Sequence, residues 1–203
     1  EFIAAQDSTK FFTSIRTLFY LSVCIQDTEG DIRLHDAFTG AERAAIWEQI
    51  NKERYSTYGA SVRWGDVILG DGANLINEVV RDADDLIAAV ARKEQPRTAF
   101  LRFGHDYYLL GLLATTNFNE IKMDYDYSDI DKLAENWQPH KFITMASNMQ
   151  FVFYRSKKSS DILVRILHNE NDMTLPIKSV EGPFYKWEDV KKYLNERVAS
   201  FKK

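Results

Sequence analysis

The sequence has 203 residues, of which 45% are hydrophobic and 28% are charged, a composition typical of a globular domain with room for one core and a smaller lobe. The net charge of −4 gives no general reason to expect binding to nucleic acid or to an anionic membrane, although a local basic pocket stays possible. The single cysteine, Cys24, excludes an internal disulfide, and we expect it to be a small buried side chain.

No apolar run approaches the ~20 residues of a membrane span, and no signal peptide is visible. The first residue is Glu1 rather than Met. We therefore expect either a cleaved leader or a piece of a longer protein, and the motifs below favour the second.

Two apolar helices are predicted in the first half of the chain. The spacing of apolar residues predicts a mostly buried helix over residues 7–26, capped by Asp7 or Ser8. The clearest helical pattern covers residues 73–93, where apolar residues form one face and the acidic residues lie mostly away from it. Pro96 is expected to follow the end of this helix.

A shorter helix and a long loop are predicted between these two. Thr39 and Glu42 have the spacing of a capping box, which predicts the start of a helix over residues 40–55. Residues 58–71 are rich in glycine and lack periodicity, so we expect a long loop that is either functional or a surface connection between lobes. Trp64 is the tryptophan best placed there to face a ligand.

The stretch TAFLRFGHDYYLLGLL, residues 98–113, is the organising feature of the sequence. Its apolar start predicts a buried strand that ends at Gly104. His105 and Asp106 follow, and an apolar run over residues 107–113 predicts a helix. A strand that delivers polar groups to the start of a helix is a common way of presenting chemistry at a sheet edge.

The last third predicts a small sheet and a final helix. The acidic run over residues 124–131 lacks the glycine and terminal glutamate of an EF-hand, so we expect a solvated loop, with a calcium site as the less favoured alternative. Strands over residues 149–154 and 161–168 predict an antiparallel hairpin, and residues 173–177 predict a third strand. An amphipathic helix is predicted over residues 187–201.

His105-Asp106 is the adjacent pair of polar groups best placed for catalysis. A histidine at a helix start can contact a phosphate, and a neighbouring aspartic acid can protonate a leaving oxygen. For His35, His140 and His168 we expect solvated or structural roles. The histidine spacing and the single cysteine give no metal-site pattern, and no Gly-rich phosphate loop or nucleophile elbow is present.

LRFGHDYYLLGLLA, residues 101–114, resembles the second active-site motif of the histidine acid phosphatases, a branch of the histidine phosphatase superfamily that includes phytases and inositol-polyphosphate phosphatases. Other segments that resemble this family, in order along the chain, are FTGAERAAIWEQIN, NLINEVVRDADDLIA, MASNMQFVFYR, DILVRILHNENDMTLPI and PFYKWEDVKKYL. The resemblance implies an α/β fold, namely the C-terminal part of a phosphoglycerate-mutase-like three-layer core. It also implies a helical insert lobe with a Gly-rich connecting loop over residues 1–70 and the core over residues 71–203.

The family's site roles follow from the same resemblance. His105 matches a histidine that contacts the phosphoryl oxygens, Asp106 matches the general acid, and Arg102 is a candidate substrate-binding residue. The implied reaction is a ping-pong hydrolysis in which a histidine nucleophile takes the phosphoryl group before water releases it. No Arg-His-Gly nucleophile motif occurs in the 203 residues, and Tyr107 stands where many relatives carry threonine.

We therefore expect an acid phosphatase-type, phytase-like phosphomonoesterase whose nucleophile lies in a missing N-terminal half of the same protein, so that this chain alone is inactive. The expected substrate is an inositol phosphate or a similar phosphomonoester, without cofactor, metal, nucleic acid or membrane, in a periplasmic or secreted setting that the resemblance alone suggests. The alternative is a non-catalytic phosphate-binding or interaction module derived from the family. An unrelated α/β protein with a chance His-Asp pair is the third reading.

Overall fold

The computed structural model describes residues 7–25, 34–58, 66–121, 123 and 129–200. Its helices are α1 (Ser8–Cys24), α2 (Gly40–Tyr58), α3 (Asp66–Ala91), α4 (Asp106–Thr116), α5 (Leu133–Asn136) and α6 (Trp187–Ser200). Its strands are β1 (Met149–Ser156), β2 (Ser159–His168), β3 (Asn171–Asp172) and β4 (Phe184–Lys186). The chain combines helices with a small antiparallel sheet, which agrees with the coarser part of the fold prediction.

The chain divides into two compact units, Glu1–Glu53 and Arg54–Lys203. The division falls inside α2, whereas the sequence places the lobe boundary at residue 70. Among the helices of the described ranges, none has the length and apolar character needed to cross a membrane.

The first unit has a small apolar cluster. Phe38, Ile46 and Ile50 are buried, with side chains of α1 packed against them. The predicted cap of α1 is confirmed, because the Asp7 carboxylate accepts hydrogen bonds from the amides of Thr9 and Lys10. These bonds satisfy two of the amides that a helix start leaves without partners.

The prediction that α1 is mostly buried is wrong, and so is the prediction that Cys24 is buried. Cys24 is exposed, and Leu21 and Val23 are nearly half exposed. The predicted helix is present, but among the described residues of this unit the apolar cluster packs against Ile15, Leu18 and Phe19 of α1 only. An apolar face is buried only where other residues pack against it.

The capping box at the start of α2 is confirmed. The Thr39 amide donates to Glu42 Oε2 at 2.8 Å, and the Glu42 amide donates to Thr39 Oγ1 at 3.2 Å. The Thr39 hydroxyl donates to the same carboxylate oxygen at 2.8 Å. The bonds from the Thr39 amide and hydroxyl lower the pKa of Glu42, because they stabilise its carboxylate form. The sequence therefore identified both the start of α2 and the interaction that fixes it.

The predicted hairpin is confirmed, with β1 and β2 antiparallel and Val164 and Ile166 of β2 fully buried. The prediction of a third strand over residues 173–177 is wrong, since β3 ends at Asp172. The Met173 amide still donates to the Ile166 carbonyl of β2. Side chains accept from the two amides that follow: Glu120 accepts from Thr174, and the Tyr185 hydroxyl accepts from Leu175. Phe184–Lys186 form a further strand, β4, which pairs antiparallel with β2.

The final helix α6 closes the core of the second unit. Its buried side chains are Trp187, Val190, Leu194 and Val198, which confirms the predicted amphipathic helix. The Trp187 indole also donates a hydrogen bond to Asp84 of α3 at 3.0 Å.

The same helix fixes the C-terminal end of α4. The Tyr193 hydroxyl donates to the carbonyl of Thr116 at 2.9 Å, and the Arg197 guanidinium donates to the carbonyls of Thr115 and Ala114 at 3.0 and 3.1 Å. Carbonyls at a helix end have no partner within the helix, and a cation there interacts favourably with the helix dipole. All residues of α4 from Leu110 to Thr116 are buried.

Helix α3 begins at Asp66, so the prediction of a loop up to residue 71 is wrong for residues 66–71; residues 59–65, with Trp64, lie outside the described part. The glycines that suggested a loop include Gly72, which lies where α3 meets α4. A Cβ on Gly72 would lie 2.5 Å from the carbonyl carbon of Gly111 and from Thr115 Oγ1. Glycine here therefore permits a close helix contact rather than a turn.

The prediction of a buried strand over residues 99–103 is also wrong. The segment has no regular secondary structure, and Leu101 and Phe103 are 79% and 93% exposed. Among the described residues, no strand pairs with this segment. A segment forms a β-strand only when a neighbouring strand accepts and donates its backbone hydrogen bonds, because these groups otherwise bond to water.

We expect Gly72→Ala to destabilise the Arg54–Lys203 unit by about 1–3 kcal/mol or more, because the new methyl group overlaps backbone atoms of α4. Urea unfolding followed by circular dichroism measures the change. Gly40→Ala is the matched control, since a Cβ at Gly40 meets nothing within 4 Å. Equal stability of Gly72→Ala and the wild type would contradict the close contact between α3 and α4.

Candidate functional site

The candidate site lies at the N-terminal end of α4. His105 is the N-cap residue, with an extended backbone and no capping hydrogen bond from its side chain, and Asp106 is the first helical residue. Both residues are exposed, in contrast to the buried C-terminal half of the helix. An acidic residue in the first turn is favoured by the helix dipole, and the same dipole favours a bound anion.

Arg54, one turn before the final residue of α2, forms an ion pair with Asp106. Arg54 Nη1 donates to Asp106 Oδ2 at 2.7 Å, and the two side chains are 31% and 41% exposed. The other carboxylate oxygen, Oδ1, accepts from the Tyr107 amide at 3.1 Å. A pair this exposed stabilises a fold by only about 0–1 kcal/mol, so its main effect is to set the position of the two groups.

Aromatic rings extend the site beside this ion pair. The ring of Tyr107 stacks on His105 with centroids 5.3 Å apart and on Tyr58 with centroids 5.5 Å apart, and both pairs are within 22° of parallel. Arg54 and Tyr58 are four residues apart and therefore lie on the same face of α2. One turn of α2 thus supplies a charged partner to Asp106 and an aromatic partner to Tyr107.

The phenol of Tyr107 has a perturbed acidity. Its pKa is raised above the ordinary value for tyrosine, first by a hydrogen bond with the Tyr108 side chain and to a smaller extent by the negative charge of Asp106. Both effects favour the neutral phenol. Tyr107 therefore stays protonated, and able to donate a hydrogen bond, at pH values where an ordinary tyrosine begins to ionise.

Arg102, the candidate substrate-binding residue, lies against α3. Its guanidinium forms ion pairs with Glu78, at 3.3 Å, and with Asp82. Asp82 is the first cause of the raised pKa of Arg102, so the side chain stays charged. In this conformation the Arg102 guanidinium is paired with two carboxylates of α3. A substrate-binding role for Arg102 therefore stays a prediction.

The remaining histidines differ in environment. His168 is buried, and its ring nitrogens lie 3.1 Å from the carbonyl oxygen of Asn148 and 2.7 Å from that of Phe142. These contacts confirm a structural role for His168. His140 is exposed, and the side chain of His35 lies outside the described part of the chain.

The acidic run is only partly described, since residues 124–128 are outside the described ranges. Within the described part, Asp129 caps a short 3-10 helix by accepting a hydrogen bond from the Asp131 amide. No group of histidine, cysteine, aspartate and glutamate side chains suited to a metal ion occurs among the described residues. The calcium alternative for the full run stays untested.

Sequence reasoning identified His105 and Asp106 but missed Arg54 and Tyr58. These two residues lie about 50 positions before the pair, and no local motif connects them to it. Arg54 lies within the helix predicted over residues 40–55, but Tyr58 falls in the predicted loop, because the structure continues α2 to Tyr58. The shared helix face of the two residues therefore could not be predicted.

Comparison with known proteins found no matching family model and no significantly similar curated protein. The resemblance to histidine acid phosphatases therefore depends on the residues and motifs themselves. The site can be described chemically as an imidazole, a carboxylate and a guanidinium grouped at the positive end of a helix, with stacked aromatic rings beside them.

We expect Tyr108→Phe to lower the pKa of Tyr107 toward the ordinary value of about 10, because the substitution removes the hydrogen bond that contributes most to the shift. NMR titration of the Tyr107 ring carbons measures this pKa. Tyr154→Phe, on β1, is the control and should leave it unchanged. A Tyr107 pKa that is the same in Tyr108→Phe and wild type would rule out this hydrogen bond as the cause.

Proposed function

We propose that this chain supplies the His-Asp half of a phosphomonoesterase site of the histidine acid phosphatase type. The observation that carries the proposal is the grouping of His105, Asp106 and Arg54 at the exposed start of α4. A phosphomonoester dianion is attracted by the helix dipole, by a guanidinium and by a protonated imidazole. Cleavage of a phosphomonoester also requires an acid beside the ester oxygen, which few other anionic ligands require.

The proposed roles follow from the chemistry of ester cleavage. His105 contacts the phosphoryl oxygens. Asp106, in its protonated form, gives its proton to the ester oxygen as the bond between phosphorus and that oxygen breaks and a bond from phosphorus to the nucleophile forms. Water then attacks phosphorus, its proton passes to the Asp106 carboxylate, and inorganic phosphate leaves the nucleophile.

The nucleophile is proposed to be a histidine of an Arg-His-Gly segment outside these 203 residues, in an N-terminal half of the same protein. Two observations support this. The sequence contains no Arg-His-Gly, and the segment directly before His105 exposes Leu101 and Phe103 instead of packing them. Strands added by such an N-terminal half would cover this apolar segment and provide hydrogen-bond partners for its backbone. The three-layer core would then form only in the completed protein.

The second candidate function is a non-catalytic phosphate-binding or interaction module. The absence of the Arg-His-Gly motif from these 203 residues favours this module. The presence of Asp106 beside His105 does not favour it, because phosphate binding alone requires no acid. Under either candidate the ligand is a phosphomonoester such as an inositol phosphate. The family resemblance supports a periplasmic or secreted setting for both.

We expect the 203-residue chain alone to show no hydrolysis of p-nitrophenyl phosphate, because it holds no proposed phosphoryl acceptor. Addition of the N-terminal half should produce hydrolysis that His105→Ala abolishes and His140→Ala leaves intact. Hydrolysis by the chain alone that disappears in His105→Ala would show that the nucleophile lies within these residues. Phosphate binding without turnover in the completed protein would favour the non-catalytic module.

In the completed protein, Asp106→Asn should slow hydrolysis of an alkyl phosphate by about 100-fold or more and that of p-nitrophenyl phosphate much less, because p-nitrophenolate leaves without protonation. Values of kcat/KM for the two substrates measure the difference. Asp129→Asn is the control for a change of charge at an exposed aspartate. Equal losses with both substrates would remove Asp106 from the general-acid role.

A further inference from the structure

The ion pair between Arg54 and Asp106 conflicts with the donor role of Asp106. Both carboxylate oxygens of Asp106 accept hydrogen bonds, one from the Arg54 guanidinium and one from the Tyr107 amide. A general acid must instead carry a proton on the oxygen that faces the leaving group. The oxygen held by Arg54 is therefore unsuited to proton donation until the guanidinium moves to another acceptor.

A phosphoryl group bound next to His105 is such an acceptor. A guanidinium forms two parallel hydrogen bonds with a phosphate as readily as with a carboxylate, and a phosphate dianion carries twice the charge. Arg54 is about one-third exposed, so a ligand can reach it from solvent. A bound phosphate would therefore compete with Asp106 for Arg54.

The stacked rings keep Arg54 close to His105 during such an exchange. Tyr58 lies one turn after Arg54 on α2 and stacks on Tyr107, which in turn stacks on His105. The backbone of this turn of α2 is thereby connected to the start of α4 independently of the ion pair. In such an exchange, the guanidinium changes partner by rotation of the Arg54 side chain.

We propose that Arg54 is a phosphate-binding residue that exchanges partners: it holds Asp106 in the unliganded protein and passes to the phosphoryl group when a phosphomonoester binds. The inference depends on the proposed function, because it takes the ligand to be a phosphate ester bound at His105. It adds a residue from α2 to the site. It also means that substrate binding removes Arg54 from Oδ2 of Asp106. This oxygen can then face the ester oxygen of the substrate.

The test is an NMR titration of the full 203-residue chain with inorganic phosphate at constant ionic strength, with chloride as the reference salt. Arg54→Gln should weaken phosphate binding about tenfold or more, as expected for loss of a hydrogen-bonded charge, and Arg54→Lys should weaken it less. Arg92→Gln is the matched control, because Arg92 also forms an exposed ion pair at 2.7 Å, with Glu94. It should bind phosphate as the wild type does.

The carboxyl 13C resonance of Asp106 provides the readout that a merely structural role would not change. In the wild type it should shift when phosphate removes Arg54. In Arg54→Gln it should already be shifted without phosphate and change little on titration. Each variant is compared at the same pH, with its fold checked by the amide spectrum.

Equal phosphate affinity of Arg54→Gln and the wild type would overturn the partner exchange. If His105→Ala then still abolished binding, the proposed phosphate site would stand without Arg54. A wild-type chain whose spectrum responds to phosphate no more than to chloride would overturn both proposals. An Asp106 resonance that stays unchanged while phosphate binds would leave the site intact and overturn the exchange.

Discussion

The close packing of α4 against α3 is the constraint on which the candidate site depends. Gly72 allows backbone atoms of the two helices to approach more closely than a residue with a Cβ would permit, and the C-terminal half of α4 is buried. Tyr193 and Arg197 of α6 hold the last carbonyls of α4. The position of the opposite helix end is therefore fixed by contacts that do not involve the site itself.

The site is accordingly an arrangement of helix ends rather than a sheet edge. The start of α4 supplies the imidazole and the carboxylate, and the C-terminal part of α2 supplies the guanidinium and a stacking ring. The small sheet of β1 to β4 contributes to the core, and none of its residues contributes a contact to His105 or Asp106 in the geometry described above. This grouping of charges is the basis of the proposal that the site recognises a phosphate ester, with an acid beside the ester oxygen.

The features that could be predicted from the sequence are those determined by residues close together in the chain. The capping box of Thr39 and Glu42, the hairpin of β1 and β2 and the amphipathic α6 are set by local spacing, and the structure has them. The predictions of a buried strand around Leu101 and of a buried Cys24 were wrong, because strand formation and burial depend on what packs against a segment. Arg54 was missed for the same reason, since its role comes from a contact 52 residues away.

The two ends of α4 differ in a way that affects how such a protein can change over evolutionary time. Substitutions at the buried end disturb packing and the carbonyl contacts of Arg197, so the fold limits them strongly. His105 and Asp106 are exposed and contribute little to the core, so they can be exchanged with small losses of stability. The proposed ligand preference and the proposed catalysis could therefore be altered or lost by substitution while the same helical framework persists.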